Sequence, residues 1–87
     1  MSNKIITLTI AGKDYRFTPD VQTYNKYINE MTMSNKIAPA HNFLSRTVML
    51  DDKDDLLELL KRPGAVLQIV GRLLDEYTPE LEITVKN

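Results

Sequence analysis

Cysteine is absent from the sequence, which removes disulfides, thiolate nucleophiles and cysteine-ligated metals together. A reducing cytoplasm is the natural setting for such a chain. Glycine occurs only at Gly12, Gly64 and Gly71, too widely spaced for a loop that wraps backbone amides around a phosphate. Histidine occurs once, as His41. No apolar run approaches the ~20 residues of a membrane span, and Ile5-Ile6 is too short for the apolar part of a secretion signal. The formal net charge is −1 with no block of basic residues, so the electrostatic footprint of a nucleic-acid-binding surface is missing. Linkers, repeats and low-complexity segments are missing too, and the 87 residues imply a single domain over 1–87.

What remains is ordinary globular material, 43% hydrophobic and 26% charged, enough for a modest core. Its dominant feature is residues 63–77, PGAVLQIVGRLLDEY. At about 100° per residue, Ala65, Val66, Leu67, Ile69, Val70, Leu73 and Leu74 cover an arc of roughly 200°. An ordinary surface helix needs a stripe about half that wide, so this helix must be covered from two directions, by its own domain or by a partner. Pro63 suits its first turn and Thr78-Pro79 its stop. Gly71, inside the pattern, implies a close backbone approach.

The rest of the chain supplies the frame. Ile6, Leu8 and Ile10 alternate with Thr7 and Thr9, the pattern of a half-buried strand. Gly12 places a two-residue turn that pairs Ile10 with Tyr15, Leu8 with Phe17 and Thr9 with Arg16. Thr18 is a candidate cap, with Pro19 early, for a helix carrying Val21, Tyr24, Tyr27, Ile28 and Met31 on one stripe. A second stripe runs through Ile37, Ala40, Phe43, Leu44 and Val48. Asp51 and Asp52 can cap a short helix carrying Leu56, Leu57, Leu59 and Leu60. In 81–86, Leu81, Ile83 and Val85 alternate with Glu82, Thr84 and Lys86, which implies a last strand pairing beside the first. The fold class is therefore α+β: an N-terminal β-hairpin plus a C-terminal strand in one small sheet, with three to four helices packed on one face.

Chemistry-bearing constellations are few. Asp51, Asp52, Asp54 and Asp55 are the densest acidic cluster. They lack the glycine and glutamate spacing of a calcium loop, and carboxylates at a helix N-terminus are explained by the backbone amides there. His41 and Ser45 lie one helical turn apart, but no orienting acid, strained elbow or oxyanion site accompanies them. Tyr15, Phe17, Tyr24 and Tyr27 fall on inward faces rather than along a basic groove, so they are core and not stacking platforms. No catalytic residue, cofactor or metal is expected. The surplus apolar width around Leu67 and Leu74, extended by Leu57 and Met49, is the one feature with an interaction reading.

Three segments, ITLTIAGKDYRFTPDVQTYNKYINEM, NKIAPAHNFLSRTV and PGAVLQIVGRLLDEYTPELEITV, together resemble the small tail assembly chaperones of tailed bacteriophages and prophages. The resemblance covers nearly the whole chain and has no catalytic signature. It implies a non-enzymatic protein of the host cell cytoplasm that binds the tape-measure protein and helps tail-tube subunits assemble around it. Such a protein is absent from the mature virion, and in many phages it has a longer frameshifted product. Leu67, Val70, Leu74 and Tyr77 are then the expected partner-binding residues, meeting the tape measure by helix-in-groove contacts. The tail-tube protein and a second copy of the chain are further candidate partners; nucleic acid and membrane are not. Two alternatives stay open, a small structural component of the tail or connector and a small regulatory interaction protein.

Overall fold

The computed structural model describes residues 4–79 and 81–86. Two strands, β1 (Ile6–Ile10) and β2 (Lys13–Phe17), are followed by four helices: α1 (Val21–Glu30), α2 (Ile37–Thr47), α3 (Leu50–Leu59) and α4 (Ala65–Tyr77). The class is α+β, as the sequence implies.

The hairpin turns at Ala11 and Gly12, both at positive φ (51° and 83°), the pair of left-handed residues that matches the twist of the flanking strands. Lys13 thereby joins β2. The register becomes Ile6 with Phe17, Leu8 with Tyr15 and Ile10 with Lys13, two residues from the expected pairing. Side chains alternate with a period of two, so this shift leaves every residue on its expected face. Ile6, Tyr15 and Phe17 are buried, Leu8 and Ile10 half-buried, and Thr7 and Thr9 exposed.

Helix α1 starts two residues later than expected. Its cap is Asp20, whose carboxylate accepts from the Thr23 N–H at 2.8 Å while the Asp20 N–H donates back to the Thr23 hydroxyl at 3.2 Å. Thr18, the expected cap, instead donates its N–H to the Thr47 carbonyl at 2.7 Å. At the entrance to α4, Gly64 takes φ of 79°, a left-handed conformation outside the helical range, so Pro63 lies in the preceding turn and not inside the helix. Gly71 is not a close approach: a Cβ built there meets nothing within 4 Å.

The expected third strand is absent. Among the described residues the sheet has two strands, and 81–86 has no regular structure, with Leu81, Ile83 and Val85 at 75%, 80% and 86% exposure. An alternating segment becomes a strand only by pairing with an edge, and one edge is already engaged. Arg16 on β2 accepts from the Met49 N–H at 2.8 Å, and its own N–H donates to Asp52 Oδ2 at 2.9 Å. Phe17 forms a bridge with Val48 beside them.

The core lies between the apolar face of the hairpin and the helices. Phe17, Phe43, Leu44, Leu56 and Leu73 are its fully enclosed large side chains. The Tyr27 and Phe43 rings meet at 5.3 Å, within the range of favourable aromatic pairs.

Candidate functional site

Helix α4 has an apolar arc that the core covers only in part. Val66, Ile69, Val70 and Leu73 are buried. Leu74 and Tyr77 are half-buried, and Leu67 is 45% exposed. Leu67, Gly71 and Leu74 follow one another at four- and three-residue steps, so they share one face of the helix. With open space at Gly71, that face is a shallow notch between two leucines. Of the four expected partner residues, Val70 sits in the core at 4% exposure, so it supports the surface from below. Leu67, Leu74 and Tyr77 reach it.

Tyr77 closes the end of the helix. Its ring stands 5.8 Å from that of Tyr24 on α1, tilted by 49°. Burial first, then the negative charge of Asp20 and the neighbouring Tyr24, hold its phenol above the ordinary value.

A second concave feature runs along the other side of α4, where it faces β1. This groove, of about 910 Å³, is lined by apolar residues such as Leu8, Ile10, Ala65 and Ile69 together with the polar Thr9 and Gln68. Arg62 and Arg72 also line it, as do Asp75 and Glu76 near the C-terminal end of α4.

The remaining candidates are occupied by structural work. The Ser45 hydroxyl donates to the Asn42 carbonyl at 3.1 Å, a bond within its own helix. Asp52 is buried and takes both the N–H and the Nε of Arg16, the latter at 3.1 Å. Asp55 pairs with Lys13. Bonding from the Arg16 N–H, then from its guanidinium, holds the Asp52 carboxyl below its ordinary value. The acidic cluster therefore fastens α3 to β2, a role the sequence did not disclose because partner and cluster are 36 residues apart. Among the described residues no group of three or more His, Asp or Glu side chains is placed to hold a metal, and no helix is long and apolar enough to cross a membrane.

Comparison with known proteins places relatives beside this geometry. A family model described as phage tail assembly chaperone matches residues 6–87. An uncharacterized 11.3 kDa protein in the lys 3′ region of Haemophilus phage HP1 (strain HP1c1) is 33% identical over 82 residues, covering 94% of this chain and 80% of the relative. No solved structure matches.

Proposed function

The chain belongs to the phage tail assembly chaperone family, and from that premise we propose that it binds a tape-measure protein and assists assembly of the tail tube around it. The observation that carries this reading is the family match over residues 6–87. The α4 surface supports it. A tape measure is long and helical, with apolar stripes that need cover until the tube encloses them. The Leu67–Gly71–Leu74 face, with Tyr77 at its end, offers an apolar notch to one such helix. The chaperone acts in the host cytoplasm without catalysing a reaction, and it leaves before the particle is finished.

The test is a pull-down of tagged protein from an infected or induced lysate, run beside an inventory of purified particles. Recovery of the tape measure with the protein missing from particles is the expected result. A stoichiometric presence in particles would make it a structural subunit instead. Leu67→Asp should abolish tape-measure capture while leaving the melting temperature within a few degrees of the parent, because the side chain already faces solvent. Capture at parental level by this variant would move the binding site elsewhere.

A further inference from the structure

Helix α1 leaves an apolar face uncovered beside the notch. Its one buried residue is Tyr27, whereas Val21 and Ile28 are 56% and 41% exposed. Tyr24 lies between them at three- and four-residue steps, so the three side chains share one face of the helix. Tyr24 is also the residue whose ring meets Tyr77, at 5.8 Å. On α4, Tyr77 follows Leu74, and Leu74 follows Gly71, at three-residue steps. An apolar path therefore runs from Leu67 along α4, crosses at the tyrosine pair and ends on Val21 and Ile28. The α4 part alone, from Leu67 to Tyr77, is about 15 Å long, roughly three turns of a helix laid on it.

The border of this path is acidic. Asp75 stands one turn beyond Gly71, on the ridge between the notch and the groove, which it also lines. Asp20 lies close enough to Tyr77 for its charge to act on the phenol. Its carboxylate is bonded to Thr23 of its own helix. Neither Asp20 nor Asp75 joins an ion pair among the described residues. The path itself contains no cation. Lys26 falls on the opposite side of α1, Arg72 lines the groove, and Arg46 is paired with Glu30.

An apolar face bordered by unpaired carboxylates fits a partner of opposite charge. A second copy does not supply it, since across a two-fold axis the same face would meet itself, acid against acid. Resting on the tape-measure reading, we propose that the segment bound here is a basic amphipathic helix. Its apolar stripe lies along Leu67–Tyr77, with one large side chain over Gly71, and reaches Tyr24, Val21 and Ile28 on α1. Lys or Arg residues beside that stripe meet Asp75 and Asp20.

The pull-down tests the tape-measure reading, and overlapping peptides covering the tape measure of the same phage test this surface. Peptides bound by the purified chain should be helical, apolar on one side and rich in Lys or Arg beside it. Their binding should weaken severalfold as salt is raised. Asp75→Lys, and separately Val21→Ser/Ile28→Ser, should each weaken it about tenfold. Both variants should keep the parental unfolding midpoint, because the altered side chains already face solvent. A peptide with its Lys changed to Glu should regain affinity for Asp75→Lys. Tape measure captured in the pull-down while no peptide binds, or peptides bound equally by parent and variants, overturns this surface and leaves the reading standing. So does self-association of the chain that the same substitutions abolish, which would make a second copy the occupant. Failure to capture the tape measure at all removes both.

Discussion

At the scale of single residues, Gly71 is the clearest case of a position the fold does not need. A helix-interior glycine costs about 1 kcal/mol relative to alanine, and its Cβ site is open. Gly71→Ala should therefore raise stability by about 1 kcal/mol in a denaturant titration. Reduced tape-measure capture by the same stabilised variant would locate the partner in the notch. Ala11, by contrast, sits at φ 51°, where a side chain is disfavoured by about 1 kcal/mol. Ala11→Asn should gain up to that amount, asparagine before glycine being the preferred pair for this turn. Two carboxylates supply the acid response. Asp20, held low chiefly by the Thr23 N–H, and Asp52, held low chiefly by the Arg16 N–H, both lie below the ordinary value of 3.8. A lowered folded pKa adds stability above the unfolded value and loses it as pH falls through the folded one. The unfolding midpoint should hold steady from neutrality to about pH 4 and drop below it, and Asp52→Asn should flatten that drop.

At the scale of elements, the stripes on α1 and α4 differ in how fully the fold uses them. Only Tyr27 of α1 is buried, with Val21 and Ile28 exposed, so this helix is held chiefly through its tyrosines. Helix α4 buries four residues and rests on both α2 and β1. Leu73→Ala should cost about 2–5 kcal/mol, the range for a fully enclosed leucine, whereas Leu67→Ala should stay within about 0.5 kcal/mol. A comparable loss at both positions in thermal unfolding would mean that Leu67 is covered even in the isolated chain. The α2–α3 junction matters for another reason. Through Met49, Asp52 and Val48 it closes the β2 edge, which leaves β1 as the side of the sheet open to addition.

At the scale of the whole molecule, the principal extents of 51 × 32 × 21 Å describe a body with uncommitted surface at more than one place. The Leu67–Leu74 notch and the β1–α4 groove lie on different sides of one helix. The first suits a helical partner and the second a strand.

Periodicity was sufficient for every helix and for the hairpin, because an apolar stripe depends only on residue spacing along one element, but how much of each stripe is buried was not, since Val21 and Ile28 of α1 and Ile37 of α2 stay exposed. The surplus apolar width around Leu67 was legible for the same reason, but the open space at Gly71 was not, since an interior glycine implied a close approach there. The hairpin register was not, because Ala11 and Lys13 compete for the turn and an alanine accepts the left-handed position here. Nor was the work of Asp52, which depends on a partner that tertiary folding brings to it from 36 residues away. The fate of 81–86 separates the two most sharply. Alternation marks a segment able to form a strand, but pairing needs a free edge within reach. Only the packed structure decides where that edge lies.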